Sequence, residues 1–109
     1  MKKILPFAAF CLLSALTVRA TDAQENWDKN CASCHGKDGK GATKAGRMAG
    51  VKDLTDPAYQ KDIKDEKALA AIKDGIKDEK GKEKMKAFAE KLTPEEMKAL
   101  VAHVRSFVK

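Results

Sequence analysis

The sequence predicts an all-α domain with long loops, and three observations support that fold class. Residues 65–76 and 93–109 place apolar side chains three and four positions apart, as one face of a helix requires. Residues 36–57 contain five glycines and end in a proline, which indicates an irregular connection. No segment shows the sustained alternation of apolar and polar residues that is typical of a half-buried strand. We therefore expect helices joined by loops, and no strand.

Two helices are predicted in the first two thirds of the chain. The first covers residues 22–33, where Asp22 is the expected N-cap and Trp27 supplies an apolar anchor. The second covers residues 65–76 and ends near Gly75, a residue type that is common at helix C-termini. Its apolar face consists of Leu69, Ile72 and Ile76.

The last helix is the most clearly marked element. Thr93 is the expected N-cap, Pro94 takes the first helical position, and Glu95 and Glu96 suit the positive end of the helix dipole. The apolar stripe that follows contains Met97, Leu100, Val101, Val104 and Val108. We also expect a short helical turn within residues 85–92, just before this helix.

Residues 1–20 are expected to be a secretory signal peptide. Two lysines precede an apolar run from Ile4 to Val18, and a cleavage site of small residues follows near Ala20. The run is short for a transmembrane span, although an uncleaved membrane anchor is the alternative. Residues 21–109 would then form one exported domain without a membrane span.

The formal net charge of +6 derives partly from that segment. Without Lys2, Lys3 and Arg19, the chain retains 19 basic and 16 acidic residues, a net charge of +3 with both signs interspersed. Binding to nucleic acid favours a concentrated basic stripe, so we expect no nucleic-acid partner.

The core that the sequence can build is small. The 89 residues after the signal peptide contain one Trp, one Tyr and two Phe, with charged residues in abundance. Domains of this size commonly add disulfides, a metal or a cofactor to a core of that kind. We therefore expect a large apolar group that the chain itself does not encode.

The chemistry is expected at Cys31, Cys34 and His35, because Cys11 leaves with the signal peptide. A thioredoxin-like dithiol has the same cysteine spacing but needs a preceding strand. A structural zinc site needs four ligands, and His103 is the one further histidine. A Cys-x-x-Cys-His motif is also the attachment site of c-type haem. The missing strand, the shortage of zinc ligands, the export signal and the small core favour haem.

Three segments resemble bacterial class I cytochromes c. The segment CASCHGKDGKG resembles the haem-attachment site, ALAAIKDGIKD the middle helix, and residues 84–107 the methionine-ligand loop with the C-terminal helix. The resemblance covers nearly all of residues 22–109. It implies the small class I cytochrome c fold, with three to five helices around one haem c that Cys31 and Cys34 bind through thioethers and His35 ligates.

The resemblance also implies Met85 as the second iron ligand. Its context is M-x-A-F, with Lys86 where many relatives have proline. Met97 belongs to the apolar stripe of the last helix and is expected in the core. Met48 lies in the glycine-rich loop and is expected to pack at the haem edge or to be exposed. His103 is expected to be a structural residue that packs against the first helix near Trp27, with ligation of the iron by His103 as the alternative.

The predicted function is that of an electron carrier and not of an enzyme. With both axial positions filled, a haem protein transfers single electrons through its exposed edge, and methionine–histidine ligation raises the reduction potential. We expect His35 to donate its other ring nitrogen to a backbone carbonyl of the following loop. The alternatives are a haem peroxidase, a ligand sensor from which Met85 dissociates, and a dedicated subunit of a periplasmic redox enzyme.

Charge predicts the partners. Residues 37–52 carry five basic groups and one acid, and residues 80–86 carry four lysines and one acid. These are the loops expected beside the exposed haem edge, so we expect acidic-faced redox proteins as partners. We expect the protein to be a periplasmic monomer.

Overall fold

The computed structural model describes residues 20–108 as six helices and one two-stranded hairpin. Apart from Ala20, the predicted signal peptide lies outside the described residues. The elements are α1 (Ala20–Asn30), α2 (Ala32–His35), α3 (Lys44–Ala49), α4 (Pro57–Asp62), α5 (Asp65–Asp74), β1 (Ile76–Lys77), β2 (Glu83–Met85) and α6 (Pro94–Arg105). The predicted all-α fold class is confirmed.

The start of α6 follows the sequence closely. The Thr93 hydroxyl accepts a 3.1 Å hydrogen bond from the Glu96 amide, and the Glu96 carboxylate accepts one of 2.9 Å from the Thr93 amide. This capping box satisfies two amides that a helix N-terminus leaves without partners. The other carboxylate oxygen of Glu96 accepts a 3.0 Å bond from Asn26, which ties the beginning of α6 to α1.

The first predicted helix is divided in the structure. Asp22 lies inside α1, so its prediction as N-cap is wrong. The chain turns at Cys31, and α2 then carries Cys34 and His35 at its end. The Cys31 carbonyl oxygen accepts the His35 amide at 3.0 Å, so the motif residues form a single turn of helix. That turn brings Cys31 and His35 to the same side of the chain.

The expectation of an irregular segment over residues 36–57 is wrong in part. Thr43 caps α3, and its hydroxyl accepts the Gly46 amide at 2.8 Å. Asp56 and Pro57 begin α4, where the Asp56 carboxylate accepts the Ala58 amide at 3.0 Å. Both helices have six residues and lack a sustained apolar stripe, so hydrophobic spacing did not reveal them.

The expectation of no strand is also wrong. β1 and β2 pair antiparallel, with Ile76 opposite Met85. The Asp78 carboxylate accepts the amides of Lys80 and Lys82 at 2.9 and 2.8 Å and shapes the turn between the strands. Strands of two and three residues are too short for an alternating pattern to be visible in the sequence.

The core lies where α6 packs against α1 and α5. Leu100 on α6 is the most deeply buried side chain of the described residues, with 1% of its surface exposed. The buried cluster around it contains Trp27, Cys31, Leu54, Ile72, Phe88, Leu92, Met97 and Val101. Because Cys31 belongs to this cluster, the chemical motif is anchored in the main packing interface.

Candidate cofactor site

A cavity with a largely apolar lining opens beside the core. Cys31, His35 and Met85 all line it. Most of the remaining lining is apolar, and it includes Leu54, Tyr59, Ala71, Ile72, Leu100 and Val104. Cofactor sites typically have apolar linings with a few placed polar groups, and this cavity has a lining of that kind.

The two cysteines of the motif differ in burial. Cys31 is buried, whereas Cys34 is half-buried and does not line the cavity. Both thiols are free, and burial raises the pKa of the Cys31 thiol to about 11, with the neighbouring Cys34 as a second cause. Catalytic dithiols have lowered thiol pKa values instead. Cys31 therefore lacks the lowered pKa of a catalytic thiol.

Trp27 holds His35 from the side of α1. The two ring centroids lie 5.5 Å apart, and the indole Nε1 donates a 3.0 Å hydrogen bond to the Gly36 carbonyl oxygen. Burial lowers the pKa of His35 and keeps its imidazole neutral at neutral pH. The neutral form is the one that ligates a metal.

The predicted hydrogen bond from the His35 ring to a loop carbonyl is not formed in this structure. His35 Nδ1 is buried and has no hydrogen-bond partner. The Gly36 carbonyl, which follows it in the chain, accepts the Trp27 indole instead. The ring is therefore positioned by packing against Trp27 and by the backbone of α2.

Met85 is the last residue of β2, and the loop that follows it is held at the end of α5. The Phe88 amide donates to the Ile72 carbonyl at 2.9 Å, and the Ala89 amide donates to the Lys73 carbonyl at 3.2 Å. Gly75 has a φ of +74°, and a Cβ at that position would lie 2.5 Å from the Met85 carbonyl oxygen. A side chain at position 75 would push the loop away, so the glycine permits this approach.

The other candidate ligands lie elsewhere. Met97 is 5% exposed and belongs to the core cluster, as its place in the helical stripe predicts. Met48 is 76% exposed and does not line the cavity. The His103 ring lies 5.3 Å from Trp27 and 5.1 Å from Phe107, which confirms its predicted packing against the first helix.

A polar cluster at the cavity was not predicted from the sequence. Gln60 is buried, and its amide donates to the carbonyls of Leu54 and Val104 at 2.7 and 2.8 Å. Its side-chain oxygen accepts a 2.9 Å bond from Arg105, which also donates to the Gln60 and Ile63 carbonyls and pairs with Asp65. The Asp56-Pro57 helix start was the signal that could have placed Gln60 on a helix.

Two basic segments of the chain expose their charged side chains. The basic side chains of residues 37–52 and the four lysines of residues 80–86 all lie at the surface. Within residues 20–108, no helix is long and apolar enough to cross a membrane.

The residues of the cavity fit a haem. Two thiols and a neutral imidazole lie on one short segment, and the thioether of Met85 reaches the cavity from the end of β2. His35 Nδ1 is a buried polar atom without a partner. The donor set consists of sulfur and nitrogen atoms around an apolar space, which suits an iron porphyrin.

Comparisons with known proteins agree with this assignment. A sequence model of the Cytochrome c family matches residues 20–107. A solved structure of the KustC0563 c-type cytochrome is 37% identical, with a TM-score of 0.70 over 80% of this chain and 98% of that chain. A point mutant of the same cytochrome is also 37% identical, with a TM-score of 0.68 over 79% of this chain and 98% of that one. No protein with curated annotation matches.

The family carries covalently attached haem c, and one haem suits a chain of 109 residues. The family and the structural similarity both support electron transfer through haem. With a family match over most of its length and the fold of a c-type cytochrome, this chain belongs to the Cytochrome c family, in its class I fold.

Proposed function

We propose that this protein is a soluble, exported mono-haem cytochrome that carries single electrons between redox partners. The observation that supports this most directly is that Cys31, His35 and Met85 line one cavity. Met85 is 50 residues from His35 in the sequence, and its place at the end of β2, opposite Ile76, brings it there. Of the three methionines in the described residues, Met85 is the one that lines this cavity.

In this proposal Cys31 and Cys34 would bind the haem through two thioethers, and His35 and Met85 would ligate its iron. The haem supplies one-electron chemistry between the ferric and ferrous states when bound. Neutral His35 is available as a ligand without losing a proton, because burial lowers its pKa. A thioether from Met85 raises the reduction potential relative to other axial sets.

The apolar lining has its own role. Leu54, Ile72, Leu100 and Val104 exclude water from the cavity, and a medium of low polarity disfavours the extra charge of ferric iron. Gln60 has partners for its amide and its side-chain oxygen, so it adds no unsatisfied polar atom to this region. These residues shift the potential in the same direction as Met85.

We further propose that residues 1–20 direct export and are removed near Ala20, and that the mature protein is a periplasmic monomer. The exposed basic side chains of residues 37–52 and 80–86 support a partner with an acidic surface. Opposite charges on two proteins accelerate their encounter, and salt weakens the effect.

The absorption spectrum of Met85→Ala beside the wild type tests the ligation. We expect the variant to lose the methionine-ligated spectrum and to have a lower reduction potential. Met48→Ala is the control, because Met48 is exposed outside the cavity and its removal leaves the ligation unchanged. An unaltered spectrum in Met85→Ala would remove Met85 from the assignment.

Carbon monoxide distinguishes the electron carrier from a peroxidase or a ligand sensor. With both axial positions filled, the ferrous wild type binds carbon monoxide poorly at neutral pH, whereas Met85→Ala binds it readily. Ready binding by the wild type would favour the enzyme or the sensor. Co-purification with a large redox enzyme would favour the dedicated subunit.

A further inference from the structure

Met48 is an exposed hydrophobic side chain that the cavity does not explain. Met48 and Ile76 are the large hydrophobic residues that the described part of the chain exposes, at 76% and 47%. Ile76 lines the cavity, where a bound haem would cover it. Met48 neither lines the cavity nor belongs to the core cluster.

Two cations share the surface of α3 with Met48. Lys44 lies three residues before Arg47 and four before Met48, which are the spacings of neighbours on one face of a helix. The three side chains therefore cluster on the outer side of this short helix. All three are exposed. The ion pair found within residues 20–108 joins Arg105 to Asp65, and no carboxylate of that described part forms a salt bridge with Lys44 or Arg47.

α3 is held rigidly against the haem-attachment segment. The Thr43 hydroxyl donates a 2.7 Å hydrogen bond to the Cys34 carbonyl oxygen while it caps α3. Gly46 is buried, and a Cβ at position 46 would lie 2.2 Å from that same oxygen. The backbone of α3 is therefore in contact with the residue that carries one proposed thioether, and a protein seated on α3 is close to the haem.

We propose that Lys44, Arg47 and Met48 form the docking site for an acidic redox protein, with Met48 as the apolar anchor. This inference rests on the proposed electron-carrier function and assigns its partner surface. Arginine and methionine are enriched in protein interfaces, and a central apolar side chain within a charged rim is the usual arrangement. The charge complementarity selects an acidic partner and disfavours a second copy of this chain, because two copies would bring like charges together.

The test uses haem-loaded protein and a reduced plant-type iron–sulfur ferredoxin, an acidic one-electron protein, as the probe. One electron passes from the ferredoxin cluster to ferric haem, which becomes ferrous, and stopped-flow absorbance gives the bimolecular rate constant. We expect Met48→Gln, which keeps the length of the side chain, to lower this constant about fivefold. Lys44→Gln and Arg47→Gln should lower it at low salt and flatten its salt dependence.

Lys98→Gln is the matched control, because it removes the same charge from an exposed position on α6. Reduction by ascorbate, which needs no protein docking, should be equal in Met48→Gln and wild type. Rate constants for the α3 variants that match Lys98→Gln would overturn the proposal. The proposal would also be overturned if the α3 substitutions left the ferredoxin rates unchanged but weakened binding to anionic phospholipid vesicles or dimer formation in ultracentrifugation.

The proposed function fails separately from this inference. A wild type that holds no covalent haem, or whose haem ascorbate cannot reduce, would contradict the electron carrier before any variant is compared. A wild type that is reduced normally by ferredoxin, with no effect of the α3 substitutions, would contradict only the docking site.

Discussion

The aromatic rings of Trp27 and His35 lie with their centroids 5.5 Å apart. Trp27 is 2% exposed, and its indole nitrogen bonds to the residue that follows His35. One side chain of α1 thus fixes both the imidazole and the start of the loop behind it.

Replacement of Trp27 by Phe should therefore weaken the fold and loosen the His35 ring. The Gly36 carbonyl loses its donor and the core loses volume, so we expect a loss of about 2 kcal/mol in the free energy of unfolding. Urea titration of the haem-loaded protein measures this loss. A midpoint equal to that of the wild type would show that neither the bond nor the packing contributes.

Gly46→Ala should destabilise the protein by about 2 kcal/mol or more, because the new methyl would meet the Cys34 and Gly41 carbonyl oxygens at 2.2 and 2.7 Å. Backbone atoms surround this position, so the clash cannot be relieved by a rotamer change. Gly50→Ala is the comparison: its Cβ meets nothing within 4 Å, but its φ of +70° costs about 1 kcal/mol. Equal losses in the two variants would argue that the close contact at Gly46 is unimportant.

Gln60→Leu should cost about 2 kcal/mol, since it leaves two backbone carbonyls and one Arg105 donor without their partner. Asp65→Asn should change stability by less than about 0.5 kcal/mol, because the Asp65 side chain in that ion pair is 72% exposed. Thermal unfolding of both variants checks the ranking. A larger loss of stability in Asp65→Asn would show that the Arg105–Asp65 ion pair contributes more than the hydrogen bonds of Gln60.

His103 should make stability fall as the medium becomes acidic. Burial lowers the pKa of His103 in the folded protein below its ordinary value of 6.5, although Asp28 opposes the shift. Protonation then favours the unfolded chain, so this contribution appears as the pH falls below about 6.5 and grows until His103 in the folded protein is also protonated.

His103→Phe should reduce that loss, since phenylalanine has no charged form and the ring contacts with Trp27 and Phe107 can be retained. Urea midpoints at neutral and mildly acidic pH measure the difference between variant and wild type. A wild type and a variant with parallel pH profiles would exclude His103 as the source.

Elements with local signals were predictable from the sequence. α6 begins with Thr93 and Pro94 and carries an apolar stripe, so its cap and its buried face follow from sequence spacing. The helix predicted over residues 65–76 was two residues too long, because α5 ends at Asp74, before Gly75. The motif at Cys31 and His35 is equally local, and its spacing predicts haem attachment.

Features that depend on distant contacts were not predictable. α3 accommodates Gly46 inside a helix because the Cys34 carbonyl leaves no room for a side chain, and that contact is invisible in the sequence. Gln60 is a polar residue on a six-residue helix without an apolar stripe to mark its buried face, and its partners lie up to 45 residues away. Met85 was predicted from resemblance, and only the folded chain shows that its loop reaches the cavity of His35.

The attachment of residues 86–89 to α5 limits insertions and deletions in this segment. The last carbonyls of a helix lack partners within it, and the Phe88 and Ala89 amides supply partners for Ile72 and Lys73. The segment after Met85 is thus also the cap of α5, and insertions or deletions there would release a helix end as well as a thioether. Its side chains can change without loss of these bonds, because backbone amides make them, but both contacts constrain its length.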